Sequence, residues 1–180
     1  KHRMELENKV FSKEILFMLY ESGKTLSTAE SCTSGRIAES ITLMPGASAY
    51  FVGGIVAYSE DVKKDILAVP EEVIAENSVV SEEVALLMAK GVCDRLGTDY
   101  AIATTGIAGP GGGTPATPVG TIWIAAGSKE NMRTLKLTED QGRDINVARA
   151  TNRALQLLLE VLREDLPQPD LSDVPAPEAK

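Results

Sequence analysis

The chain has 180 residues, 43% of them hydrophobic, which is enough for one domain with a full core. Its formal net charge of -8 argues against a nucleic-acid backbone as the main partner, because that surface calls for an excess of Lys and Arg. No apolar run is long enough for a bilayer span and no secretory signal opens the chain, while Cys32 and Cys93 show neither metal-ligand spacing nor a disulfide framework, so a cytoplasmic protein off the membrane is expected.

Lys1-His2-Arg3 precede Met4 and read as an expression remnant or the cut edge of a longer polypeptide. From Glu5 to Ser22, Leu6, Val10, Phe11, Ile15, Met18 and Leu19 recur at helical intervals, and Gly23 supplies a stop, which predicts a core-covering helix. Lys24 to Thr28 reads as a short strand leading into the small, polar run Ala29-Glu-Ser-Cys-Thr-Ser-Gly35. A helix over Arg36 to Leu43, with Ile37, Ile41 and Leu43 inward, leaves Ser31 to Ser34 at its N-terminus, where free amides favour negative charge. Met44 to Ser48 is a turn and Tyr50 to Ala57 a hydrophobic strand. Ser59 suits the N-cap of Glu60 to Leu67 and puts Lys63 about one turn inside that helix. Pro70-Glu71-Glu72 opens a short helix with proline at a permitted first position, and Ser81 opens a longer one that ends at Gly97.

Tyr100 to Thr104 and Val119 to Ala126 read as buried strands joined by a loop of glycines, Gly106, Gly109, Gly111, Gly112 and Gly113. Pro110, Pro115 and Pro118 keep that loop from becoming helix or central strand. A loop this long inside a compact domain is usually functional, and its N–H groups suit an anion. It opens into a strand and lacks a Gly-Lys-Ser/Thr triplet, so neither a dinucleotide fingerprint nor a Walker loop fits. Met132 to Thr138 alternates as a partly exposed strand, and Gln141 to Arg163 forms a last helix with Val147, Ala150, Ala154, Leu155, Leu158 and Leu162 on one face. Residues 166–180 carry too little apolar surface to offset ordering and are expected to form a disordered tail after one domain over 1–165. Strands alternating with helices predict a three-layer α/β fold.

The only histidine, His2, falls in a terminal stretch expected to be mobile, so a Ser-His-Asp triad, a Cys-His pair and a histidine metal site all lack their central residue. A base must then be Lys, a carboxylate or Tyr. Three polar clusters are assigned to strand ends: Ser31 with Cys32 and Thr33, Ser48, and Tyr58-Ser59 with Lys63. In open α/β sheets ligands gather beyond strand ends, which makes these clusters one candidate site together with Thr105. A serine or cysteine nucleophile would need an unprotonated lysine. Bringing a lysine from about 10.4 to near neutrality takes on the order of 4 kcal/mol, which burial or a neighbouring cation can supply. Cys32 reads as a small inward-packing residue, and a hydrolase using its thiolate is a third reading.

Four motifs then stand together in order between about residues 5 and 163. They are Thr28-Ala-Glu-Ser-Cys-Thr-Ser-Gly35, Pro45-Gly-Ala-Ser48, Tyr58-Ser59 followed by Lys63, and Gly106-Ile-Ala-Gly-Pro-Gly-Gly-Gly-Thr-Pro115 with Pro118-Val-Gly-Thr121. Together they resemble the CinA C-terminal domain family, whose characterised members are nicotinamide-nucleotide amidohydrolases. The resemblance implies a three-layer α/β/α sandwich with a mixed, mostly parallel sheet. It implies metal-free, cofactor-free conversion of nicotinamide mononucleotide to nicotinate mononucleotide and ammonia through a serine/lysine acyl-enzyme. It also implies Ser48 as nucleophile and Lys63 as base, with Tyr58 and Ser31 as hydrogen-bonding partners and Ser31 as the alternative nucleophile. Thr105, Gly106, Gly109, Gly111, Gly112, Thr33 and Arg143 are then expected around a small-molecule nucleotide; neither nucleic acid nor membrane is an expected partner, and a homo-oligomer stays open.

The family usually has Gly-Gly at Ser34-Gly35, Gly-Asp-Arg at Gln141-Gly142-Arg143, and a second arginine where Val147 stands. The phosphate anchor is therefore open between the glycine loop, the Ser31 to Gly35 helix start and an arginine. The rival expectation is a non-catalytic nucleotide-binding or regulatory domain of a CinA-type protein.

Overall fold

The computed structural model describes residues 2–168; most of the expected tail, from 169 onward, and the His2 side chain lie outside what it describes. Among the described residues one sheet has the order β2-β1-β3-β4-β5, built from β1 (Leu26–Glu30), β2 (Phe51–Val56), β3 (Tyr100–Gly106), β4 (Ile122–Ser128) and β5 (Met132–Leu137). β2, β1 and β3 run parallel, β4 pairs antiparallel with β3 and β5 antiparallel with β4, which makes the sheet mixed.

The two faces of the sheet are paved differently. Successive strand side chains point to opposite faces, so in β3 Tyr100 and Ile102 join the core under α1 (His2–Ser22) and α6 (Arg143–Asp165). Ala101 and Ala103 join the other core, under α5 (Glu82–Leu96). Ala29 and Ala125 extend that small-residue paving and let α5 lie close to the sheet. α2 (Arg36–Thr42) shares the first face with α1 and α6, and α4 (Glu71–Asn77) packs beside α5, giving the three layers. α3 (Glu60–Asp65) follows β2 directly.

Several local expectations shift. Leu6 and Val10 are 53% and 55% exposed, so α1 covers the core only from Phe11 onward, and Leu43 is exposed as well. Leu6 and Leu43 instead flank a groove between α1, α2 and α6. Pro70 is the N-cap of α4, one residue earlier than expected.

Parallel pairing places the C-terminal ends of β1, β2 and β3 along one rim of the sheet. Ser31, Ala57-Tyr58 and Thr105-Gly106 gather there, where open α/β sheets hold ligands. Ser48 sits in the 3-10 turn Ala47–Ala49, before β2, at the opposite rim.

Candidate active site

Two backbone bonds carry the strand ladder past the ends of the strands: Ser31 N–H donates to Thr104 O at 3.1 Å, and Ala57 N–H donates to Glu30 O at 2.8 Å. They hold Ser31 beside Ala57-Tyr58. Ser59 Oγ then accepts from Val62 N at 3.3 Å, starting α3 as the cap predicts, and one turn later Lys63 returns under the chain it came from.

Lys63 is 1% exposed. Its Nζ lies 3.0 Å from Ser31 Oγ, 2.8 Å from Ala57 O and 3.3 Å from Tyr58 O. Burial lowers its pKa from the ordinary lysine value, against smaller opposing effects of Cys32 and Glu60. The partner set gives this shift a direction. An ammonium donates to all three oxygens, but a neutral amine has two N–H groups and one lone pair. Carbonyls can only accept, so Ala57 O and Tyr58 O take the two N–H groups and the lone pair is left facing the Ser31 hydroxyl. In the neutral state Ser31 donates to Lys63, which is the arrangement a nucleophile and its base require.

Ser48, expected to face Lys63, does not. The six residues of β2 separate its turn from Ala57, and at roughly 3.3 Å per residue the gap is about 20 Å. Ser48 is exposed and lies outside the cleft, so Lys63 is paired with Ser31 instead. Tyr58 partners Lys63 through its carbonyl, while its side chain is 58% exposed at the rim.

The start of α2 is already occupied. Glu30, 1% exposed, accepts from Ile37 N at 2.9 Å and Thr33 Oγ1 at 2.7 Å through Oε1, and from Ala38 N at 3.0 Å through Oε2. A carboxylate therefore sits where the dipole favours an anion, and this helix end offers no vacant phosphate cradle. Thr33, fully buried, also pairs with Thr104 Oγ1 at 2.9 Å; it belongs to this network and is not among the residues lining the cleft, contrary to its expected role as a substrate contact. An acidic residue a few positions ahead of a helix start was the sequence signal for Glu30. Cys32 borders the cleft, but burial pushes its thiol up to about 12, so the thiol keeps its proton at neutral pH and the thiolate reading is set aside.

The cleft measures about 350 Å³ and runs from Ser31 and Lys63 past Val79, Val80 and Thr105 to the glycine loop and Arg143. Gly109 has φ +88°, and a Cβ there would meet Val119 Cγ1 at 2.4 Å. Gly106 is excluded from substitution by packing, since a Cβ would lie 2.6 Å from Ile122 Cγ1. Among the described residues no acceptor pairs with the N–H groups of Ala108, Gly109, Gly111 or Gly112, all four of which line the cleft.

Arg143, in the first turn of α6, donates to Gly109 O at 2.7 Å and to Tyr58 Oη at 3.2 Å, tying the loop to the rim after β2. Asn146, one turn on and fully buried, donates to Ala108 O at 3.1 Å and Asp140 Oδ1 at 2.9 Å, and accepts from Gln141 N at 2.9 Å. Sequence reasoning missed this anchor; its signal was an amide on the buried face of α6. Arg149 holds Thr138 O and Glu139 O and does not line the cleft, and Val147 is core. Thr105 Oγ1 donates to Val79 O at 2.8 Å. Among the described residues no three His, Cys, Asp or Glu side chains cluster as a metal ion requires, and no helix is long and apolar enough to cross a membrane.

The sequence pattern of the CinA C-terminal domain matches residues 8–162. A CinA-like protein of Parasynechococcus marenigrum is 42% identical over 151 residues, covering 81% of this chain and 36% of its own length. One from Mycolicibacterium gilvum is 46% identical over 142 residues, covering 78% and 34%. The chain thus spans about a third of the length of the curated relatives it matches. Among solved structures, the competence/damage inducible protein CihA from Agrobacterium tumefaciens superposes with a TM-score of 0.84 at 35% identity, over 86% of this chain and 95% of that one.

Proposed function

The chain belongs to the CinA C-terminal domain family, and on that footing we propose that it hydrolyses the carboxamide of nicotinamide mononucleotide to nicotinate mononucleotide and ammonia. The observation that carries the reading is the buried contact between Lys63 Nζ and Ser31 Oγ, with both remaining neighbours of the amine being carbonyls. Neutral Lys63 takes the Ser31 proton as Oγ attacks the amide carbon, and the proton passes to the departing nitrogen, which leaves as ammonia. Water then adds to the acyl-enzyme, giving its proton to Lys63, and Ser31 is regenerated as the carboxylate departs. Unpaired loop amides are suited to the oxyanion or the phosphate, and Arg143 at the rim is suited to the phosphate. This places the enzyme in pyridine nucleotide salvage.

Ammonia release from nicotinamide mononucleotide tests the reading. Ser31→Ala and Lys63→Ala are expected to lose at least about 10³-fold in kcat, as removal of a nucleophile or its base does, while Ser48→Ala keeps wild-type turnover. An active Lys63→Ala enzyme excludes the mechanism. A wild type that binds the nucleotide but releases no ammonia favours a non-catalytic nucleotide-binding or regulatory domain.

A further inference from the structure

We propose that Thr105 is a positioning residue that holds the Ser78–Val80 segment in place as the platform for the heteroaromatic ring of the substrate. This role presupposes the amidohydrolase reading and goes beyond it by naming what recognises the ring.

After α4 ends at Asn77, Ser78 has φ 74° and ψ 154°, a region that is essentially glycine's own. A serine stays there only where its surroundings hold it. The turn it makes brings Val79 and Val80 to the cleft. Beside the bond from Ser78 N to Ile74 O at 2.9 Å that closes α4, three side-chain hydrogen bonds hold the segment: Ser81 Oγ to Ser78 O at 2.8 Å, Val80 N to Ser78 Oγ at 3.3 Å, and Thr105 Oγ1 to Val79 O at 2.8 Å. The first ties the segment to Ser81, the N-cap of α5, and the second lies within it. The third is the one that fastens it to the sheet, from a threonine 1% exposed at the end of β3, opposite Trp123 in the ladder. With its one proton committed to Val79 O, Thr105 has no donor left for a ligand and acts through the segment it holds.

The chemistry of the wall identifies its occupant. Of the ring, ribose and phosphate of a pyridine mononucleotide, the ring gains from apolar surface. It also carries the scissile carboxamide, so it must lie beside Ser31 and Lys63, in the same cleft as Val79, Val80 and Ile107. The polar side chains and unpaired amides elsewhere in the cleft are left for ribose and phosphate.

The test compares two ligands on the full chain by calorimetry: nicotinate mononucleotide, which has the ring, and ribose 5-phosphate, which lacks it. Thr105→Val removes the donor at nearly constant volume. It is expected to weaken nicotinate mononucleotide by about fivefold, the worth of one net hydrogen bond, to leave ribose 5-phosphate within about twofold of wild type, and to raise KM with little change in kcat. Thr105→Ser, which keeps the donor, rescues most of the loss. Val80→Ala trims the wall without touching the tether and decides the matter if Thr105→Val does not fold; it too must act on the ringed ligand alone. Equal weakening of both ligands, or of neither, overturns the platform. A wild type that binds both yet hydrolyses nothing, with the ring-selective loss intact, overturns only the catalytic reading; one that binds neither overturns both.

Discussion

Replacing Lys63 by methionine keeps much of the side chain's bulk and removes its proton chemistry, which separates two contributions to stability. Lys63 is buried, and burial lowers its pKa in the folded protein. In the unfolded chain it titrates near about 10.4. Between those two values the unfolded chain holds a proton that the folded protein lacks, so stability rises with pH, by up to about 1.4 kcal/mol per pH unit. The gain is complete above the unfolded value and is lost as pH falls through the lowered, folded one. Methionine does not titrate, so the stability of wild type minus that of Lys63→Met carries this slope alone. The variant also leaves Ala57 O and Tyr58 O without the N–H groups that now reach them. Each unpaired buried carbonyl costs about 1–3 kcal/mol, an offset that pH does not change. Urea unfolding of both proteins from pH 7.5 to 9.5 reads offset and slope separately, and the difference is expected to grow as pH rises. A difference that stays flat across this range means that Lys63 keeps its proton when folded, and such an amine cannot be the base.

Four further outcomes follow from the same geometry. Glu30→Gln removes the charge from the acceptor of Ile37 N and Ala38 N and is expected to cost about 1.5–3 kcal/mol in urea unfolding; unchanged stability would show that the α2 start does not depend on that carboxylate. Arg143→Gln is expected to raise KM for the nucleotide by about tenfold with a smaller effect on kcat, as loss of a charged contact to phosphate does; steady-state kinetics check it, and an unaltered KM removes Arg143 from the binding site. Cys32→Ala is expected to keep turnover within about threefold, and the wild-type thiol to resist iodoacetamide at pH 8, since a protonated thiol is a poor nucleophile; rapid inactivation on alkylation would restore the thiolate reading. Gly111→Ala, whose Cβ meets no atom within 4 Å, is expected to melt like wild type, whereas Gly106→Ala, with Ile122 Cγ1 at 2.6 Å, is expected to melt well below it.

Signals that act over a few residues were readable from the chain. Ser59 caps α3 and Ser81 caps α5 where the spacing of polar and apolar residues puts them, and Gly97 closes α5 at φ +66°. Apolar runs, and an alternation at Met132 to Thr138, pointed to the strands of the sheet to within a few residues, and the absence of a histidine in the body of the chain drew attention to Lys63, which is buried beside Ser31. Contacts that join distant segments were not readable. Glu30 looked like one polar residue in a polar run, because its partners at Ile37 and Ala38 depend on how the chain turns after β1. Asn146 reaches Ala108, 38 positions away, and no local pattern encodes that distance.

The two serines show where chain order alone would have sufficed. Among the parallel strands β2, β1 and β3 each enters at one rim and leaves at the other, so a residue just after one of them lies at the rim of those that follow the other two and a strand's length from those that precede them. Lys63 follows β2 and Ser31 follows β1, whereas Ser48 comes before β2. Once β1 and β2 are taken as parallel neighbours, Ser48 is excluded by the length of β2 and Ser31 is the serine left at the rim. The resemblance placed both serines in one site because motifs record which residues occur together, and it did not weigh the direction in which the chain crosses the sheet. On the proposed mechanism the base at the exit of β2 takes its nucleophile from the neighbouring exit of β1, which holds Ser31, 3.0 Å from the amine.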